Sequence, residues 1–167
     1  MSIYIGLGPN LSHPKFGAAI RTLERALVML NDRGVRLVKL SPWYRTAPVP
    51  VSDQPWYFNA VAEVATGFGP DALLATLHGV EDRFGRVRSV RNAPRFIDLD
   101  LLDYRALSKD MNQIGLSVIP HVRLEGRAFV LLPLRDVAPD WRHPVTGTPI
   151  DALIAALPPE QIAERLD

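Results

Sequence analysis

Arg95-Phe96-Ile97-Asp98-Leu99-Asp100-Leu101-Leu102 alternates acidic and aliphatic side chains with the period of a β-strand. In such a strand Asp98 and Asp100 share one face, and Ile97, Leu99 and Leu101 share the other. The aliphatic face needs a layer to bury it. The acidic face needs something that tolerates two like charges roughly 6.5–7 Å apart along the backbone.

Working back from this strand, Arg86–Pro94 is a basic loop. Pro70 opens a helix whose inner side carries Leu73, Leu74, Leu77, Val80 and Phe84, and Gly85 ends it. Tyr57–Thr66 is apolar enough for a strand. Arg45–Trp56 holds Pro48, Pro50 and Pro55 and reads as a loop. Val35–Tyr44 predicts one strand. Ile20, Leu23, Leu27 and Leu30 predict a helix from about Phe16 to Arg33, stopped by Gly34. Ser2–Leu7 is a first strand running into the turn Gly6-Leu7-Gly8-Pro9-Asn10. Forward from Leu102, Leu116–Ile119 predicts a further strand and Arg127–Leu134 a helix ending near Pro133. A short helix follows around Ile150–Leu157, with another from Pro159. The order β-α-β-β-α-β plus a C-terminal extension is that of an α+β, ferredoxin-like sandwich: a mostly antiparallel sheet with helices packed on it.

At 167 residues the chain has room for one domain with its own core, and residues 1–167 are expected to form it. Apolar residues make up 47% and charged residues 22%, and nineteen Lys/Arg against eighteen Asp/Glu leave a formal charge of +1. Any basic function must therefore be local, and neither nucleic acid nor membrane is favoured as a partner. There is no cysteine, which excludes disulfides and Cys-zinc sites. The start Met1-Ser2-Ile3-Tyr4-Ile5 has no basic region and no long apolar run, so the expected address is the cytoplasm.

Carboxylates two residues apart on a strand can converge on one or two cations, and magnesium, with its preference for oxygen ligands shared with phosphates, suits them. The bland alternative is the solvated face of an edge strand. Aspartate is depleted in strands, however, and two like charges on one face call for neutralisation. Arg83, Arg86, Arg88, Arg91 and Arg95 fall within thirteen residues just before the pair. Guanidinium groups bind phosphate bidentately. Most such runs are solvated loops, but this one abuts the carboxylates.

Other phosphate and metal architectures are missing. Gly6-x-Gly8 lacks the third glycine of a dinucleotide fingerprint, no G-x-x-x-x-G-K-[ST] occurs, and His13, His78, His121 and His143 have no paired zinc spacing. An RNA-binding ferredoxin-like domain would want an aromatic run on a central strand, and none is present.

The run Arg91-Asn92-Ala93-Pro94-Arg95-Phe96-Ile97-Asp98-Leu99-Asp100-Leu101-Leu102 resembles the signature of the 6-hydroxymethyl-7,8-dihydropterin pyrophosphokinases: a small residue, a small residue or Pro, Arg, two free positions, Asp-aliphatic-Asp and two aliphatics. Further similar pieces fall in the same order: Gly6-x-Gly8-x-Asn10-Leu11, Tyr44-Arg45-Thr46, Asp53-Gln54-Pro55, Tyr57-x-Asn59-Ala60, Glu81, Gly85-Arg86-x-Arg88, Pro120-His121 and Arg127-x-Phe129. The resemblance spans roughly residues 3–140.

The resemblance implies transfer of pyrophosphate from ATP to 6-hydroxymethyl-7,8-dihydropterin, giving AMP and the pterin diphosphate in folate synthesis. Asp98 and Asp100 would hold two magnesium ions and, with Arg86 and Arg95, form the catalytic set. Arg86, Arg88, Arg91, Arg95, His121 and Arg127 would meet ATP, with Glu81 on the nucleotide side. Thr46, Ala47 and Val49 would border the pterin, Asn59 would read its edge, and Tyr57 and Phe129 would sandwich its ring. The resemblance also implies a monomer whose partners are these two small molecules. A non-catalytic nucleotide- or pterin-binding relative is the alternative. Pro9 in the first turn, Ser89, Asn92 and a basic loop one residue short depart from the family pattern and bear on loop closure and turnover.

Overall fold

The computed structural model describes residues 2–8, 18–46, 57–85, 97–106, 126–161 and 163–166. Its elements are β1 (Ile3–Gly8), α1 (Ala19–Asp32), β2 (Arg36–Leu40), β3 (Tyr44–Thr46), β4 (Tyr57–Ala65), α2 (Pro70–Arg83), β5 (Asp98–Tyr104), α3 (Ala128–Val137), α4 (Ile150–Ala155) and β6 (Ala163–Arg165). The strands form one sheet in the order β5-β1-β4-β3-β6, with β2 also on β4, and every strand pairing in it is antiparallel. With β2 and β3 sharing one edge of β4, this is the expected α+β, ferredoxin-like arrangement, extended by one strand at the C-terminus.

Strand alternation gives the sheet two unlike faces. Ile3, Ile5, Leu7, Ala60, Ala62, Val64, Leu99 and Leu101 pack against Leu23, Leu27 and Leu30 of α1 and Leu73, Leu77 and Val80 of α2. Helix α1 has no side-chain N-cap. A missing cap costs about 1 kcal/mol, whereas each buried leucine contributes roughly 1.5–3 kcal/mol, so packing decides that this helix forms. Gly34, at φ +91°, turns the chain out of it. On the opposite face Tyr4, Val61 and Leu102 meet Val130, Leu131, Leu134 and Val137 of α3, Trp141, and Ile150 and Leu153 of α4.

Three expectations change. The strand predicted over Val35–Tyr44 is two strands, because Pro42 has no N–H for a continuous ladder. Ser41 bridges the break: its N–H donates to Val61 O (2.9 Å) and its hydroxyl accepts from Val61 N–H (3.0 Å). Arg45 and Thr46, placed in the following loop by the sequence, therefore belong to β3. Helix α3 runs on through Pro133 to Val137, since Leu134 and Val137 are buried and outweigh the lost hydrogen bond. The helix expected from Pro159 is instead strand β6, paired with β3. Ala, Glu and Arg favour helix, but a short isolated helix is marginal and the open edge of β3 offers a full ladder. Leu116–Ile119 lies outside the described residues.

Candidate active site

The acidic pair stands on the second face, the side on which α3 and α4 pack. Leu99 and Leu101 are buried against the α1–α2 layer, so alternation turns Asp98 and Asp100 to the other side, where both are half-buried. Across the ladder Asp98 pairs with Gly8 and Asp100 with Gly6. Both partners lack side chains, so β1 forms a glycine floor beside the carboxylates, with the Leu102 side chain over Gly6. Beyond this floor lies β4, whose Asn59 leans over it: a Cβ on Gly8 would stand 2.3 Å from Asn59 Oδ1. Only glycine allows that approach.

The far wall is polar and ordered. Asn59 Nδ2 donates to Thr46 Oγ1 at 3.1 Å, and both residues are buried. Tyr57, two residues before Asn59 on β4, shares its face. Phe129 packs against the α3 cluster on this side of the sheet, and the Arg127 guanidinium lies 5.2 Å from the centre of its ring. The structure thus brings Thr46, Tyr57, Asn59, Asp98, Asp100, Arg127 and Phe129 to one side of the sheet.

Glu81 is placed differently. It is buried on α2, in the other layer, and its Oε2 accepts the Leu99 N–H at 2.9 Å. It thereby satisfies the outward edge of β5 between the two aspartates. Arg86, Arg88, Arg91, Arg95, Ala47, Val49 and His121 lie outside the described residues, as do Pro9, Ser89 and Asn92.

Asp103, further along the same strand, had no reading in the sequence. A bulge in the β1–β5 ladder, where Tyr4 pairs with Asp103 and Ile5 with Leu101, leaves Leu102 unpaired and shifts the alternation. The Asp103 carboxylate is consequently buried, and accepts Trp141 Nε1–H at 2.8 Å and Ala106 N–H at 3.0 Å. Burial pushes its carboxyl above the usual carboxylate range, against the lowering effect of the Trp141 and Ala106 hydrogen bonds and of nearby His143. Burial likewise raises the Tyr44 phenol, which donates to Asp136 at 2.5 Å and ties β3 to α3.

The Asp98–Asp100 pair fits a magnesium site. Its donors are all oxygen, and the cross-strand glycines add no side chain beside them. Among the described residues no third acidic or histidine side chain completes a cluster. Two carboxylates would hold magnesium through oxygen, the ligand type that ion prefers.

Paired carboxylates on one strand and a buried Asn–Thr pair thus stand on one face of an α+β sheet. The sequence model of the 7,8-dihydro-6-hydroxymethylpterin-pyrophosphokinase family matches residues 4–139, and the chain belongs to that family. It is 40% identical over 166 residues to the 2-amino-4-hydroxy-6-hydroxymethyldihydropteridine pyrophosphokinase of Pseudomonas aeruginosa, covering 98% of this chain and 96% of that one. It is 39% identical over 149 residues to the folic acid synthesis protein fol1 of Pneumocystis carinii, covering 89% of this chain but only 19% of that longer protein. A crystal structure of Plasmodium falciparum HPPK-DHPS superposes with a TM-score of 0.69 at 15% identity, over 93% of this chain and 41% of that one, a likeness of fold. Among the described residues no helix is long and apolar enough to cross a membrane.

Proposed function

We propose that this protein is a cytoplasmic, magnesium-dependent pyrophosphokinase that transfers the β,γ-pyrophosphoryl unit of ATP to the hydroxymethyl oxygen of 6-hydroxymethyl-7,8-dihydropterin. The hydroxymethyl oxygen bonds to the β-phosphorus, the bond from that phosphorus to the α–β bridging oxygen breaks, and AMP leaves. The hydroxyl proton passes to solvent. The observation that carries this reading is the placement of Asp98 and Asp100 beside a glycine floor, on the sheet face that also carries the Asn59–Thr46 pair.

Asp98 and Asp100 would hold magnesium, which supplies charge neutralisation on the triphosphate. The remaining work is positioning and electrostatics. Asn59, locked by Thr46, would hydrogen-bond the pterin edge, with Ala47 and Val49 bordering it. Tyr57 and Phe129 would stack on its ring. Arg127 would leave the Phe129 ring for phosphate oxygens, joining Arg86, Arg88, Arg91, Arg95 and His121. Glu81 would serve the nucleotide side by fixing the strand on which both aspartates stand. The chain would act as a monomer.

A non-catalytic binding relative is disfavoured by the near-complete match to a protein named for the reaction. The test is an AMP-release assay with ATP, magnesium and the hydroxymethyldihydropterin. Equimolar AMP and pterin diphosphate are expected. Release of ADP, or no turnover with both substrates bound, would overturn the assignment.

A further inference from the structure

We infer that Gln161, from the C-terminal tail, is a positioning residue of this site: its carboxamide fixes the turn that presents Arg127 and Phe129. The inference rests on the roles proposed above for those two residues.

Gln161 Oε1 accepts the Ala128 N–H at 2.8 Å, and Gln161 Nε2 donates to Gly126 O at 2.7 Å. One side chain therefore holds two backbone groups that flank Arg127. Ala128 is the first residue of α3, and the helix has no side-chain cap of its own at Arg127. Its first N–H groups have no partner within the helix, and Gln161 supplies one from 33 positions away. Phe129, the next residue, follows directly from the pinned amide, and the Arg127 guanidinium already stacks on its ring.

The same tail then reaches the opposite wall. Ala163 pairs with Thr46 and Arg165 with Tyr44 in the β3–β6 ladder, and Leu166 N–H donates to Trp43 O at 2.8 Å. Thr46 in turn holds Asn59. Within six residues, from Gln161 to Leu166, the tail is bonded both to the turn with Arg127 and Phe129 and to the strand with Thr46. The two walls are thus set against each other by a segment outside the region matched by the family model, which ends at residue 139.

Gln161 touches no reacting atom, so its loss acts on binding. Without it the turn is ordered only when substrate arrives, which weakens binding while leaving the bound geometry unchanged. Gln161→Ala and Gln161→Met, which remove both hydrogen bonds, are expected to raise KM for ATP and for the pterin about tenfold with kcat changed less than about twofold. Gln161→Glu keeps the acceptor for Ala128 and falls between them and the wild type. Glu160→Ala, its neighbour, matches the wild type. A residue that only adds global stability would lower the melting temperature and leave both KM values in place.

Amide hydrogen exchange at Ala128 in the ligand-free protein reads the same bond without turnover. Protection is expected in the wild type and lost in Gln161→Ala. If the wild type releases no AMP, the proposed reaction falls, and exchange at Ala128 still decides whether Gln161 holds the turn. Unchanged Ala128 exchange, or KM values within twofold of wild type in both Gln161→Ala and Gln161→Met, would overturn the inference.

Discussion

Strand β5 carries three aspartates in seven residues, and the fold gives them opposite fates. Asp98 and Asp100 are half-buried, cross-strand from Gly8 and Gly6. Asp103 is buried, and both its oxygens accept hydrogen bonds from Trp141 and Ala106. The residue type is the same and the strand is the same. The bulge at Leu102 and the arrival of Trp141 from the C-terminal extension make the difference. The oxygens of Asp103 are filled by Trp141 and Ala106, whereas Asp98 and Asp100 stand on the sheet face that also carries the Asn59–Thr46 pair.

The sharpest way to break this contrast is to exchange the two kinds of damage. Asp98→Ala or Asp100→Ala is expected to lower kcat by at least about a hundredfold, because on the proposed reading each would remove a metal ligand worth several kcal/mol in the transition state. The fold should remain intact, since the change also relieves like-charge repulsion on one strand face. Magnesium should raise the melting temperature of the wild type in the presence of ATP and should do so far less in either variant. Near-normal turnover in Asp100→Ala at saturating magnesium would mean that the carboxylate pair is not the metal site.

Asp103→Ala should show the reverse pattern. It leaves the Trp141 and Ala106 N–H groups without acceptors, at a cost of about 1–3 kcal/mol in stability. Turnover measured well below the melting temperature should stay within a few-fold of wild type. Denaturant titration together with the AMP assay separates the two outcomes. A large loss of kcat without a stability change would erase the distinction between the two kinds of aspartate.

The half of this contrast that concerns Asp98 and Asp100 was legible in the sequence, because strand alternation is local and two acids in an aliphatic run stand out. So were α1 and α2, whose leucines recur every three or four residues. Asp103 was not legible. A bulge is set by the neighbouring strand, and Trp141 comes from 38 positions away. Ser41 and Pro42 hid a strand break that only the ladder to Val61 reveals. Glu81 sits near the end of an amphipathic helix and on its own would be read as surface. Its burial depends on β5 needing an acceptor for the Leu99 N–H. Gln161 and β6 carried no signal, since their role exists only once the tail lies between β3 and α3.

The glycine floor offers a more local test. Gly8→Ala places a methyl group 2.3 Å from Asn59 Oδ1, so the amide must shift and its bond to Thr46 must weaken. Losing one such hydrogen bond costs about 1 kcal/mol, which corresponds to a rise of several-fold in the KM for the pterin. The KM for ATP should change little. Gly6→Ala is the matched control, because the nearest atoms to a Cβ there are Leu102 side-chain carbons at 3.5, 3.6 and 3.7 Å, ordinary contacts. Equal effects of the two substitutions on pterin KM would show that Asn59 does not set the affinity.

The smallest expected effect concerns pH and the Asp103 carboxyl. Its carboxyl is raised by burial, so the folded protein binds that proton more tightly than the unfolded chain does. Its contribution to stability is therefore complete below the ordinary carboxylate value of about 4 and is lost as pH rises through the raised value. Asp103→Asn removes the titration while keeping the side-chain shape. The difference in unfolding free energy between wild type and Asp103→Asn should shift in favour of the wild type as pH falls from about 7 towards 4, by on the order of 1 kcal/mol per unit of raised pKa. A difference that is flat with pH, or that moves the other way, would mean that the hydrogen bonds from Trp141 and Ala106 outweigh burial, and that Asp103 titrates like an exposed acid despite its enclosed position.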